Sequence, residues 1–162
     1  MIPVVVFPSI LSLSGIGGDD DLTNIIFQAS FDGRLKSSEG LLTAAGDLCT
    51  LTAAAGKDLY LSAAKVVFFM ESGGSGFSNE AVLKVNGTIV ETAKASFTAI
   101  DGGSFAGDMN LVYEFKNIGH KVTAAQILKI EAILVDPQVA VEGFIQAVEV
   151  PAGQNPTTYT GS

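Results

Sequence analysis

Apolar and polar side chains alternate with a period of two along several short runs of this chain, and helical spacing is hard to find anywhere. Ile25, Phe27, Ala29 and Phe31 alternate with Gln28 and Ser30. Met109, Leu111, Tyr113 and Phe115 alternate with Asn110 and Glu114, and Leu128, Ile130, Ala132 and Leu134 with Lys129 and Glu131. Each run predicts a half-buried strand, because successive strand side chains point to opposite faces of a sheet. Glycine clusters at residues 15–18, 73–76 and 102–103 read as loop tips between such runs. The pattern is that of an all-β sandwich or barrel.

The clearest local signal runs from Ala81 to Glu91, two alternating segments about Asn86-Gly87. An Asn-Gly pair suits the two-residue hairpin, which needs positive φ at both central positions. The expected register sets Val85 opposite Thr88 and Leu83 opposite Val90, so that Ala81, Leu83, Val85 and Val90 share a buried face. On the other face Lys84 lies diagonal to Glu91. Further on, Asp136-Pro137 is expected to turn the chain into a closing strand through Val139, Val141, Phe144 and Val148, with Gly143 marking a bulge or a close backbone approach.

One stretch breaks the rule. Val66, Val67, Phe68, Phe69 and Met70 are apolar at both parities, which predicts a strand covered on both faces. One cover is the core. The other is expected to be a neighbouring subunit, ahead of a loop of the same chain.

Composition sharpens this expectation. The chain has 162 residues, enough for one domain that buries about two-thirds of its surface without covalent staples. Only 16% of residues are charged and mean hydropathy is +0.41, whereas an ordinary soluble domain carries about 25% charged residues. Part of the apolar surplus is expected at subunit contacts. The net charge of -8 repels phosphate backbones, so nucleic acid is not an expected partner. No run approaches the roughly 18 unbroken apolar residues of a membrane-spanning helix, so no membrane partner is expected either. The apolar opening, Met1-Ile2-Pro3-Val4-Val5-Val6-Phe7-Pro8, lacks a basic region and carries prolines, which fit an extended arm better than a signal helix.

Candidate chemistry is sparse. Cys49 is the single cysteine, within Leu48-Cys49-Thr50-Leu51, and reads as a small core hydrophobe. His120 is the single histidine, so neither a multi-histidine metal site nor a zinc site with its usual partners can form. No Gly-x-Ser-x-Gly elbow surrounds any serine; Ser75 in Gly73-Gly74-Ser75-Gly76 fails at the last position. Gly15-Ile16-Gly17-Gly18 precedes Asp19, Asp20 and Asp21, which would repel phosphate. Those aspartates read as a solvated turn ahead of a calcium loop, since the further spaced acids of an EF-hand are missing. Without tryptophan, and with only Tyr60, Tyr113 and Tyr159, the chain offers little aromatic platform for sugars. Asn86-Gly87-Thr88 fits a glycosylation acceptor in form but is a tight turn first. No cofactor and no catalytic residue is expected.

Four segments together carry a resemblance: Ala55-Gly56-Lys57-Asp58-Leu59-Tyr60-Leu61, the Val85-Asn86-Gly87 hairpin, Val122-Thr123-Ala124-Ala125 before Ile127-Leu128-Lys129-Ile130, and Glu142-Gly143-Phe144. In turn spacing, over about residues 22–150, the chain resembles the TNF- and C1q-like jelly rolls of trimeric viral capsid decoration or minor capsid proteins. That resemblance implies a jelly-roll domain over residues 22–150; composition adds an apolar arm and acidic loop (1–21) before it and a tail (151–162) expected to dock behind it. It implies a non-catalytic virion component on the capsid surface that forms a homo-oligomer, most simply a trimer, and binds capsid neighbours. Family relatives line their trimer axis with aromatic residues, a part that here falls to the Val66–Met70 run with Tyr113 and Phe115. The expected contact residues are therefore Ile2, Val4, Val6 and Phe7 of the arm, Val67, Phe69, Tyr113 and Phe115 of the sandwich, and Tyr159 of the tail. The competing expectation is a carbohydrate- or receptor-binding module that uses the loops around residues 73–76 and 101–107.

Overall fold

A computed structural model describes residues 34–70, 76–98 and 109–157. Nine strands account for most of them: β1 (Leu35–Leu42), β2 (Gly46–Thr52), β3 (Lys57–Met70), β4 (Gly76–Val85), β5 (Thr88–Thr98), β6 (Met109–Glu114), β7 (Lys121–Val122), β8 (Ile127–Leu134) and β9 (Val139–Pro151). They form two antiparallel sheets. One is ordered β1-β9-β3-β6, with β7 also paired to β3; the other is ordered β2-β8-β4-β5. Early and late strands alternate within each sheet, so the chain winds as a jelly roll, and the expected antiparallel jelly-roll sandwich is the fold observed.

The core lies between the sheets and is built from one parity of each strand. Val66, Phe68 and Met70 of β3, Val141, Ile145 and Ala147 of β9, Ala81 and Leu83 of β4, and Leu128 and Ile130 of β8 are all buried there. β3 changes parity part-way along. Leu59 and Leu61 point inward from its first half, and Ala64, Val66, Phe68 and Met70 from its second. A bulge against β9 between Leu61 and Ala63 causes the switch, since one extra residue turns every later side chain to the other face.

The Asn-Gly hairpin forms as expected, with φ of 46° at Asn86 and 83° at Gly87, and Val85 sits opposite Thr88. Its register then departs from the expected one. A bulge between Leu83 and Lys84 pairs Lys84 with Ile89 and Leu83 with Glu91, not with Val90. The shared inward face survives: Ala81 and Leu83 are in the core, and Val85 and Val90 pack against it. The expected Lys84–Glu91 diagonal does not form. Lys84 Nζ instead lies 2.7 Å from Glu131 Oε2 on β8. Asp136-Pro137 turns the chain as expected, with the Val139 amide donating to the Asp136 carbonyl and the Gln138 amide to the Asp136 carboxylate.

Where β1 passes to β2 the two sheets come very close. A Cβ on Gly40 would stand 1.8 Å from the Leu48 carbonyl oxygen, and one on Gly143 would stand 2.9 Å from Leu48 Cβ. Gly143 thus marks a close approach, one of the two readings the sequence allowed. At the other end of the molecule the chain leaves β9 and folds back onto β3. The Ala152 amide donates to the Gly56 carbonyl, the Gly153 amide to Asp58 Oδ2 at 2.9 Å, and the Tyr60 hydroxyl to the Gln154 carbonyl at 3.0 Å. The tail therefore docks at least through these residues. The strand expected over residues 25–31 and the loops at 73–75 and 101–107 lie outside the described residues.

A candidate partner-binding face

Strand pairing places three rows of outward-facing side chains across the β1-β9-β3-β6 sheet. One row runs Leu41, Glu142, Val67, Val112; the next runs Glu39, Phe144, Lys65, Glu114; the third runs Ala140, Phe69, Asn110. These positions alternate with the buried parity of the same strands, and a solvated sheet face would fill them with polar groups. Instead Leu41 and Val112 are 63% and 62% exposed, and Val67, Phe69 and Phe144 are half-buried. Lys65 lies over the Phe144 ring, its ammonium 5.5 Å from the centroid, a contact that lays its aliphatic stem on the apolar surface. The outcome is an apolar band of Leu41, Val67, Val112, Phe69 and Phe144, interrupted by Glu142 and Lys65 and flanked by Glu39 and Glu114.

The other end of the same outer face is differently finished. Leu35, Val148 and Tyr60 lie in one row there, Val148 and Val150 are buried, and Leu35 and Tyr60 pack against them. This is also where the tail docks. Asp58, itself buried, accepts from Lys121 Nζ at 2.8 Å and from the Gly153 amide. The Lys121 hydrogen bond, then that amide, hold its carboxyl below the usual carboxylate range, outweighing the opposing effect of burial. Among the described residues the sheet thus carries a closed end beside β7 and an uncovered apolar end toward Met70.

The contact residues expected from sequence separate into three groups. Val67 and Phe69 do point outward into the apolar band. Phe115 does not: it is 4% exposed and belongs to the core, a correction that follows from the parity of β6, whose Met109, Leu111 and Tyr113 pack inward. Tyr113 likewise turns toward the core and meets the Phe115 ring edge-on at 5.4 Å. Its hydroxyl donates to Glu91 Oε1 at 3.0 Å, and burial, then that carboxylate, raise its pKa. Ile2, Val4, Val6, Phe7 and Tyr159 lie outside the described residues. Leu41, Val112 and Phe144 were missed by sequence reasoning. Parity could have found Phe144 and Val112, but Leu41 follows Ser37-Ser38-Glu39-Gly40, which gives no strand signal.

The residues weighed for chemistry find structural roles. Cys49 is buried, and desolvation pushes its thiol up to about 12, leaving no appreciable thiolate at neutral pH. His120 follows β6 in a loop, its Nε2 3.0 Å from Asn117 Oδ1. Among the described residues no group of three or more His, Cys, Asp or Glu side chains gathers as metal ligands, and no helix is long and apolar enough to cross a membrane. The outer face of the opposite sheet carries ion pairs, with Lys129 Nζ bridging Asp47 at 2.8 Å and Glu131 at 3.0 Å, beside the exposed Ile133 of the same strand. Glu131 is held below its usual range by hydrogen bonds from Lys84, then Lys129.

No family model matches the chain and no curated protein matches it. Solved structures resemble it in fold. The Agl-KA catalytic domain is 13% identical over 83% of this chain and 25% of its own, with a TM-score of 0.36. The CBM36-1 domain of a multidomain xylanase from the hindgut metagenome of Trinervitermes trinervoides is 14% identical over 74% of this chain and 99% of its own, with a TM-score of 0.32. A chain of infectious bursal disease virus, Gx strain, is 17% identical over 76% of this chain and 33% of its own, with a TM-score of 0.33. The chain therefore spans a quarter of the first and a third of the last.

Proposed function

We propose that this chain is a non-catalytic structural subunit of a virion, a jelly-roll protomer that forms a homo-oligomer, most simply a trimer, and binds capsid neighbours. The observation that carries this reading is the apolar band of Leu41, Val67, Val112, Phe69 and Phe144 on the outer face of the β1-β9-β3-β6 sheet. Apolar side chains gathered on the outer face of a sandwich mark an interaction site, and burying them against protein returns roughly 25 cal/mol per Å². The low charged fraction, 16%, agrees with a surface meant to be covered. Jelly rolls also serve as viral shell domains, which accords with the resemblance in turn spacing. The virion surface is then its place of work.

Lectins use jelly rolls as well, and a carbohydrate- or receptor-binding module is the alternative. A sugar platform built on the tyrosines finds less support, because the Tyr60 hydroxyl is bonded to Gln154 and that of Tyr113 to Glu91. Sedimentation of the full chain over a micromolar concentration series tests the proposal. A mass that settles at a fixed multiple of the protomer supports it. A monomer throughout, with saturable binding in a glycan titration, overturns it in favour of the alternative.

A further inference from the structure

Resting on the oligomeric reading, we infer that the occupant of the apolar band is the segment of residues 1–18 from a neighbouring copy of this chain. Direct face-to-face pairing of two bands is opposed by charge. Over the three rows Glu39, Glu114 and Glu142 stand against Lys65, with Lys116 Nζ 3.7 Å from Glu114 beside them, and a two-fold contact would set the remaining acidic surplus against its own copy in a site that excludes water. Residues 1–18 contain no Asp, Glu, Lys or Arg, and they supply Ile2, Val4, Val5, Val6 and Phe7 within seven positions. The segment therefore brings apolar area to the band without like-charge repulsion.

Its prolines select the mode of contact. Pro3 and Pro8 lack the amide hydrogen needed to extend a ladder, so the segment suits side-chain packing on the face of the sheet more than pairing at the β1 or β6 edge. Length allows the exchange between copies. The band lies about 20 Å along β1 from Arg34, at roughly 3.3 Å per residue, and residues 19–33 can span about 50 Å when extended. The molecule already finishes the other end of this outer face with the tail that follows Pro151.

The test uses the full chain, a variant lacking residues 1–18, the same variant carrying Val112→Glu, and a peptide of residues 1–18. Val112 is 62% exposed, so the substitution leaves the core untouched. The expected result is an oligomer for the full chain and a monomer for the shortened one. The peptide binds the shortened variant and loses about tenfold or more in affinity with Val112→Glu, the effect of a charge placed in an apolar contact. A shortened variant that stays oligomeric overturns the inference and leaves the oligomeric reading standing. Equal peptide affinity for both shortened variants overturns the assignment to this face. A monomeric full chain whose band becomes accessible only on removal of residues 1–18 also overturns it, since the segment would then dock on its own copy.

Discussion

Replacing Gly40 with alanine would put a methyl carbon 1.8 Å from the carbonyl oxygen of Leu48, about half an ordinary contact distance. The obstacle is backbone on a strand of the opposite sheet, so no rotamer change relieves it, and β1 and β2 must part at the corner where the chain passes between the sheets. Overpacking of a core typically costs 1–3 kcal/mol, and a clash with fixed backbone belongs at or beyond the upper end, so Gly40→Ala is expected to cost about 3 kcal/mol or more. Two other glycines grade the argument. At Gly143 the new methyl meets Leu48 Cβ at 2.9 Å, an atom fixed to its backbone that no rotamer change moves, and Cys49 Sγ at 3.3 Å; the clash is less deep than at Gly40, and the cost is about 2–3 kcal/mol. At Gly46 the nearest atom is the Leu42 Cδ1 methyl at 3.3 Å, and the change should stay within about 0.5 kcal/mol of neutral. None of the three has a positive φ, so backbone strain does not confuse the series. Urea unfolding followed by far-UV circular dichroism measures it. With an m-value of about 2 kcal/mol per molar, Gly40→Ala lowers the midpoint by about 1.5 M. A loss under about 1 kcal/mol at Gly40, or a larger loss at Gly46 than at Gly40, would refute the claim that these two sheets meet through bare backbone.

Two further outcomes follow from the charged contacts. Asp58 has a folded-state pKa below its unfolded one, so its contribution is fully present above the ordinary carboxylate range and disappears as pH falls through the folded value. Urea midpoints measured from neutral to acid pH should therefore decline less steeply in Asp58→Asn than in the parent; Glu131, shifted in the same direction, leaves a residual slope. The Glu91 carboxylate accepts from the Tyr113 hydroxyl and from the amides of Lys116 at 2.8 Å and Asn117 at 2.7 Å. Glu91→Gln is expected to cost about 1 kcal/mol and to bring the Tyr113 pKa part of the way down, read by ultraviolet titration of the phenol, with burial retaining the remainder of the shift.

What sequence disclosed here divides along the range of the interactions involved. The Asn86-Gly87 turn was legible because its φ requirement is local to two residues, and β6, β8 and β9 were legible because alternation is a property of a single strand. The bulge at Leu83–Lys84 was not, since it arises in the pairing of β4 with β5, and Lys84 finds its partner in Glu131 on β8, 47 positions away in sequence. Equally hidden was the bulge at Leu61–Ala63, which switches the inward parity of β3 from Leu59 and Leu61 to Ala64, Val66, Phe68 and Met70. β1 escaped detection because Ser37-Ser38-Glu39-Gly40 lacks apolar period, its Gly40 being set by the contact with Leu48. The candidate face was half legible. Val67 and Phe69 announced themselves by breaking parity, whereas Tyr113 and Phe115 were aromatic for the sake of the core, and residue type alone does not distinguish a core ring from an interface ring.

Native mass by light scattering, on the full chain and on the Leu41→Glu and Val112→Glu variants, tests the central claim most directly. Both side chains are more than half exposed, so each variant should keep the far-UV spectrum and urea midpoint of the parent. The account predicts an oligomer for the parent and a shift to protomer mass in both variants. A parent that runs as a monomer, or variants that retain the parent's mass, would contradict the assignment of this sheet face to a protein partner.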